Sequence, residues 1–338
     1  MRRACGAALL CLLLCGCRWR DAGELTPVTA GAVSQSDGAY TLTAELALPS
    51  ADSAVPQSMT VVSGAPGIAQ AIDRAGAGRD THLYWSHARV LLLGTNLLRG
   101  GMEETVRALT VSSEVRPSVR LCAVKNAQAD TVLTACSSVS GDPPGFALGD
   151  SIDLAVSRSQ TPDMPLYRAL DRTLSDGIDP VLPAVSVRSG QAVLDGAALF
   201  SSGALCGWLD EAQTGALCLL LTAGDTATIY DAGGAREQLH DLSATVRADS
   251  TDSAPAYSVA VSAALACESQ AQAQQAADEL RAQCVQLIET LQQTGCDALG
   301  LGRVWAQQTG ETDAGWRDAP VAVSVTLRCT PSAEGGSR

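Results

Sequence analysis

Aromatic side chains are scarce in this sequence: five Trp, five Tyr and two Phe make up 4% of its 338 residues. Its cores must therefore be filled by Ala, Val and Leu, each with less apolar area to bury than a ring. Histidine occurs three times, and no two cysteines are spaced as CxxC. Together these argue against a Cys/His zinc site. Long apolar runs are missing too. Beyond the N-terminus the longest candidate is Ala216 to Thr222, seven residues, where a spanning helix needs about 20. Basic residues are outnumbered 23 to 36, for a net charge of −13. An acidic, lysine-poor chain repels phosphate backbones, so nucleic acid is not an expected partner. The sequence has neither a P-loop nor a GxGxxG, and no cofactor is implied.

What is present starts with Arg2 and Arg3, followed by an uncharged run from Ala7 to Cys15. These are the positive region and short apolar region of a secretory signal. Leu14-Cys15-Gly16-Cys17 ends it. Leu at −3, a small residue at −1 and Cys at +1 form the pattern of a bacterial lipobox. Cys15 at +1 would put Leu14 at −1, where a small residue is needed. The expectation is cleavage after Gly16, making residues 1–16 a signal peptide, and lipidation of Cys17. A diacylglyceryl thioether buries two acyl chains, enough for stable anchoring. The rest would be a body tethered outside a cytoplasmic membrane.

That body, about 320 residues, exceeds one ordinary core. Val28–Val33 and Tyr40–Leu48 read as strands, the second alternating with period two, joined through Ser36-Asp37-Gly38. A strand at Met59–Ser63 and a helix at Gly67–Ala75 follow. After a strand over Arg89–Gly94, Thr95 would cap one helix carrying Leu97, Leu98, Met102, Val106 and Leu109, with Glu103 and Glu104 as solvated charges near its middle. Val119–Val124 reads as a strand and Ala127–Ala135 as a short helix. Ser137–Asp150, rich in Ser, Gly, Pro and Asp, reads as a loop. Helices are expected at Leu154–Arg158 and Leu166–Ser175. Asp179-Pro180 and Leu182-Pro183 mark a hinge. Strands are expected at Ala197–Phe200, Leu205–Leu209, Ala216–Leu221 and Ala256–Leu265.

The strongest helical pattern is Cys267–Thr294, with Ala273, Ala277, Leu280, Cys284, Leu287, Ile288 and Leu291 on one face and Gly295 positioned to end it. Val321–Arg328 is a last strand. Strands, helices and strands without regular alternation argue an α+β fold, multi-domain, with mixed or antiparallel sheets flanked by helices. The expected division is 17–183, with a further break near 137–150, then 184–332 and a tail at 333–338.

Candidate chemistry is thin. Gly149-Asp150-Ser151 resembles a GDS nucleophile block, but His240 is preceded by Glu237 and not by the Asp of an Asp-x-x-His, and a Pro-Gly loop stands where a strand should lead to the Ser. His82 and His87 flank Trp85 and read as a packed strand edge without a third metal ligand. The eight later cysteines, Cys122, Cys136, Cys206, Cys218, Cys267, Cys284, Cys296 and Cys329, fall in apolar segments. They read as small buried hydrophobes, with disulfides of an exported chain as the alternative.

Several stretches, in order, resemble the Ger(x)C family, the lipoprotein C subunits of spore germinant receptors. Cys17, Trp19, Asp21, Glu24 and Leu25 resemble its Gly-Cys-Trp-Asp start, with Arg18 intruding. Gly64 to Ala71 resembles the stretch before its first helix. Leu83 to Gly94 resembles an aromatic-x-His-x-Lys/Arg-Val-x-x-x-Gly pattern. Gly196 to Phe200, Leu205, Gly207-Trp208-Leu209 and Gln213-Thr214-Gly215 resemble a block of its C-terminal domain. Asp297 to Gly302, with Trp316, resembles its Asp-x-x-Gly-x-Gly and late Trp. The resemblance implies three α+β domains in an elongated body, no enzymatic activity and a lipid anchor on the outer face of the spore inner membrane. It also implies A-type and B-type membrane subunits as partners in responding to small germinants. Only Cys17 is carried over as a functional residue. An envelope lipoprotein acting as a solute-binding protein or an assembly adaptor is the alternative; the first would need alternating β/α units and a cleft between similar lobes.

Overall fold

The computed structural model describes residues 24–50, 56–112, 114–136, 141–221, 226–230, 236–251, 254–311 and 315–331. The signal segment and Cys17 lie outside the described residues. The fold is α+β, built on two sheets with helices packed against them.

The first sheet runs in the order β3-β2-β1-β5-β6-β7-β8-β9, with β4 also pairing with β1. Its strands are β1 (Leu25–Ser36), β2 (Ala39–Leu48), β3 (Gln57–Ala65), β4 (His82–Tyr84), β5 (Val90–Leu93), β6 (Arg120–Val124), β7 (Val181–Arg188), β8 (Gln191–Ser201) and β9 (Ala204–Leu209). The middle, β1-β5-β6-β7, is parallel and both flanks are antiparallel. The parallel part is covered on both faces, as such sheets require. Val90 and Leu92 point into one core while Leu91 and Leu93 point into the other, and all four are at most 1% exposed.

Among the described residues, three hairpins close on two-residue turns with positive φ at both positions: Asp37-Gly38, Ser189-Gly190 and Ser202-Gly203. That geometry matches the strand twist. Pro183 sits inside β7, next to a register shift between Pro183 and Val185, where a missing N–H is tolerated. The expected boundary at 183–184 thus falls within a strand.

Helices on the first sheet are α1 (Ile68–Gly76), α2 (Thr95–Gly100), α3 (Glu103–Val111), α4 (Ala129–Ala135), α5 (Pro144–Ser157) and α6 (Leu166–Leu174). Two differ from expectation. The helix begun at Thr95 stops at Gly100-Gly101, where Gly101 has φ +107, and restarts as α3. Glu103 and Glu104 are therefore in a first turn, not mid-helix, and favourably placed against the helix dipole. Thr95 Oγ1 donates to the Val124 carbonyl at 2.5 Å instead of capping. The segment 144–150, read as loop, is the start of α5. Pro144 supplies N1, and the buried Glu45 on β2 accepts the Gly145 N–H at 2.6 Å, fixing the helix start from below. Glu45 also accepts the Thr29 hydroxyl and the Ser58 hydroxyl, the latter at 2.6 Å.

After β9 comes α7 (Glu211–Leu221), where Ala216–Leu221 was expected as a strand. Asp210 and Gln213 explain the helix: Asp210 Oδ1 accepts the Gln213 N–H at 2.8 Å and Gln213 Oε1 accepts the Asp210 N–H at 3.3 Å, a reciprocal cap. Leu217, Cys218, Leu219 and Leu220 are all buried, so the second half of the helix is apolar all round and shows no stripe.

The second sheet is β10 (Thr226–Tyr230), β11 (Arg236–Thr251), β12 (Ala254–Ala266) and β13 (Val321–Thr330), in that order, with β12 and β13 parallel. The crossover between them carries α8 (Gln270–Thr294) and α9 (Leu301–Thr309). α8 buries the face read from the sequence, adding Ala276, and stops at Gly295 with φ +71. Ser269 caps its start, accepting the Gln272 N–H at 3.3 Å. One apolar core joins this sheet, α7 and α8 to Val181, Ala197, Leu199 and Leu209 of the first sheet.

Cys267 and Cys329 form a disulfide between the end of β12 and β13, with Cα atoms 5.6 Å apart. This corrects their reading as small hydrophobes. The parallel pairing puts Leu265 opposite Cys329, so Cys267 at the strand's exit lies beside its partner. No spacing rule in the sequence reveals that. Cys122, Cys136, Cys218, Cys284 and Cys296 are free and buried, as expected, while Cys206 is free and exposed.

Candidate functional site at the junction of the two sheets

The rejected catalytic candidates are not assembled. Ser151 is on α5, its hydroxyl bonded to the Ala147 carbonyl at 2.9 Å, whereas His240 and Glu237 lie on β11 of the other sheet. His82 Nε2 meets Glu114 at 2.9 Å, and the His87 ring lies 5.1 Å from Tyr84. Trp85 between them is buried against Gly31, where a Cβ would fall 3.2 Å from the indole. Among the described residues no group of three His, Cys, Asp or Glu side chains is placed to hold a metal ion. No helix among the described residues is long and apolar enough to cross a membrane.

What the fold does bring together is the last block of family-like residues. Asp297, 3% exposed, accepts the Leu301 N–H on Oδ1 and the Gly302 N–H on Oδ2, both at 2.8 Å. It thereby caps α9 from four residues upstream, while Gly300 enters the helix in the left-handed conformation, which glycine adopts without a Cβ penalty. Gly302 is required by contact: an added Cβ would lie 2.9 Å from the Gly177 Cα. At Gly177, with φ +69, a Cβ would lie 2.4 Å from the Arg303 N.

The loop 177–179, at the exit of α6, thus lies directly on the start of α9. Backbone bonds knit the two: Arg303 N–H to the Gly177 carbonyl at 2.8 Å and Asp179 N–H to the Asp297 carbonyl at 2.9 Å. Asp179 answers with its side chain, accepting the Asp297 N–H at 2.8 Å and the Ser202 N–H at 3.2 Å. Arg172 on α6 donates to the carbonyls of Asp179 and Ala298, each at 3.0 Å. On the far side Gly207 of β9 approaches Thr294 so closely that a Cβ would be 3.0 Å from its methyl. Gln213 Nε2 on α7 donates to Thr290 on α8 at 3.0 Å.

Electrostatically the junction is tense. Burial pushes the Asp297 carboxyl up to about 6, with the nearby Asp179 adding to the rise, against the pull of its backbone N–H donors. Burial also raises Asp179. Burial lowers Arg172 below the ordinary guanidinium range. A cleft of about 380 Å³ opens here, lined by Arg172, Asp179, Ser202, Asp297, Trp316 and Arg317. Chemically the arrangement is a hinge or brace with hydrogen-bonding walls. Asp297, Gly300, Gly302 and Trp316 were flagged in the sequence by resemblance alone. Asp179 stood out only as half of the Asp179-Pro180 hinge, and Gly177 and Arg172 carry no motif; the Gly two residues before Asp179-Pro180 is the one local signal that points there.

A two-sheet α+β chain braced in this way has relatives. Residues 20–187 match the family model of the spore germination protein N-terminal domain, and residues 195–330 match the spore germination B3/GerAC-like C-terminal domain. The chain belongs to the GerAC-like family of spore germination proteins, the C subunits of germinant receptors. A crystal structure of the GerBC protein has a similar fold, with a TM-score of 0.56 at 16% identity over 88% of this chain and 96% of that one. No curated protein matches the chain.

Proposed function

We propose that this chain is a non-enzymatic, lipid-anchored C subunit that acts with A-type and B-type membrane subunits to trigger germination in response to small molecules. The carrying observation is that the two halves of the GerAC-like family, in their order, span nearly all of the chain after the lipobox. Cys17 is the anchor in this reading, and the body stands on the outer face of the spore inner membrane. A lipid tether by itself conveys no conformational signal. Coupling must then run through protein contact, and in this reading the junction of the two sheets is its path within the chain.

The test is deletion of the chain in spores, combined with recovery of a tagged copy from detergent-solubilised spore membranes. Loss of the response of one receptor and recovery of an A-type or B-type subunit are expected. An intact response together with neither subunit on the tag would sink the receptor reading and leave the adaptor. Cys17→Ala should abolish fatty-acid labelling; a mutant still labelled at full strength would remove Cys17 as the anchor.

A further inference from the structure

Two of the free cysteines meet across the junction. Cys206 lies on β9 of the first sheet, exposed, and Cys296 lies between Gly295, which ends α8, and Asp297, which caps α9. Cys296 is fully buried, yet its thiol is in hydrogen-bond contact with that of Cys206. The approach is enforced by backbone packing and not by long side chains. Next to Cys206, Gly207 admits Thr294 to within 3.0 Å of where its Cβ would be. Next to Cys296, Asp297 is bonded to Asp179 in two places.

We propose that Cys206 and Cys296 are a redox site, a dithiol that closes to a disulfide and locks β9 of the first sheet to the α8–α9 connection. The reactivity is divided as such a pair requires. Cys206 is exposed and open to an oxidant, whereas Cys296 is buried behind it; in keeping with this, the contact with Cys296 lowers the Cys206 thiol and burial raises that of Cys296. Cys206 is the attacking sulfur and Cys296 the resolving one. With a peroxide as oxidant, the Cys206 thiolate attacks one oxygen, the O–O bond breaks, and a sulfenic acid and one water result. The Cys296 sulfur then displaces the sulfenic oxygen, its proton leaving with it as a second water. Two thiols lose two electrons and two protons, and one peroxide takes them up.

The other free cysteines lack this division. Cys122 and Cys136 share an enclosed core, and burial pushes both up to about 12. Cys218 and Cys284 are likewise buried and pushed to about 12. The inference does not depend on the receptor reading, since it concerns only how the two sheets are joined.

The experiment uses the full chain in detergent. It is treated with one equivalent of hydrogen peroxide, alkylated, digested without reductant and mapped by mass spectrometry. The Cys267–Cys329 peptide serves as an internal standard. The expected product is a Cys206–Cys296 cross-linked peptide, two hydrogens lighter than the dithiol, formed at least tenfold faster than any other new disulfide. Amide exchange over residues 294–303 should slow several-fold on oxidation of the wild type and stay unchanged in Cys206→Ser, whose substitution is at an exposed position. In Cys296→Ser, Cys206 should stop at the sulfenic acid. Recovery of both cysteines as alkylated thiols would overturn the proposal. So would Cys206 found oxidised alone, or joined to a second molecule, in the wild type.

Discussion

The two sheets solve the same burial problem differently. In the first, the central strands are covered on both faces, so β5 is apolar at every position and all of Val90-Leu91-Leu92-Leu93 is buried. In the second, α8 covers one face and β13 alternates: Val321, Val323, Val325 and Leu327 turn inward, while Ala322, Ser324, Thr326 and Arg328 are exposed. A two-sided strand has no tolerant position, whereas a one-sided strand has a tolerant position at every second residue. Between them, the junction tolerates change only where no backbone lies against it.

The sharpest way to break that contrast is Leu91→Asp on β5. It puts a carboxylate among apolar neighbours without a partner, so a loss of more than about 5 kcal/mol is expected, enough to remove a folded population in denaturant titration. A cooperative transition near that of the wild type would show that the first core is looser than its burial implies.

Next comes the junction. Gly177→Ala adds a left-handed backbone penalty to a 2.4 Å clash with Arg303 N, and should cost about 2–4 kcal/mol. Gly78, with φ +73 and nothing within 4 Å of its would-be Cβ, is the control. Gly78→Ala should cost about 1 kcal/mol, the conformational penalty alone. Equal losses at the two sites would mean that the loop 177–179 is not seated on α9.

The acid response of the junction has a definite sign. The Asp297 carboxyl sits at about 6 in the folded chain, above its ordinary 3.8, because of burial first and Asp179 after it. The folded state therefore holds the proton more tightly than the unfolded one. The resulting stability is fully present below about pH 4 and is lost as pH rises through about 6, a change of at most about 3 kcal/mol. Asp179 is raised as well and acts in the same direction. Asp297→Asn should flatten this part of the profile while costing about 1–2 kcal/mol for one of the two N–H bonds at the start of α9. Unfolding titrations of wild type and variant between pH 4 and 7 should converge as pH rises; parallel curves would remove Asp297 as the source.

Much of this was legible in the sequence for the physical reason that separates the sheets. Period-two alternation marked β12 and one apolar stripe marked α8, because each faces solvent on one side; β2 alternates as well, although its second face, with Thr43 and Glu45, is buried beneath the start of α5. Where burial is complete the period vanishes, which is why the apolar Ala216–Leu221 was read as a strand although Asp210 and Gln213 close a helix cap ahead of it. The start of α5 was hidden because its fixing group, Glu45, is about a hundred residues away. The site was half visible. Asp297, Gly300 and Gly302 stood out through family likeness, but the loop 177–179 and Arg172 meet them only through tertiary packing. The Cys267–Cys329 pair was missed for the same reason, since the β12–β13 register sets it and no local spacing does.

The smallest expected effect tests the one-sided character of the second sheet. Ser324 is exposed on β13 and pairs in register with Ala260, also exposed on β12. Ser324→Ala removes a solvated hydroxyl and fills no cavity, so stability should stay within about 0.5 kcal/mol. Val325→Ala, one residue on and turned toward the core beneath α8, should cost about 1 kcal/mol or more by the same measurement. Walking alanine along Val323 to Leu327 should then give a saw-tooth of small and large losses. A flat profile, with Ser324 as sensitive as Val325, would mean that the outer face is buried in solution too, and the second sheet would be two-sided like the first.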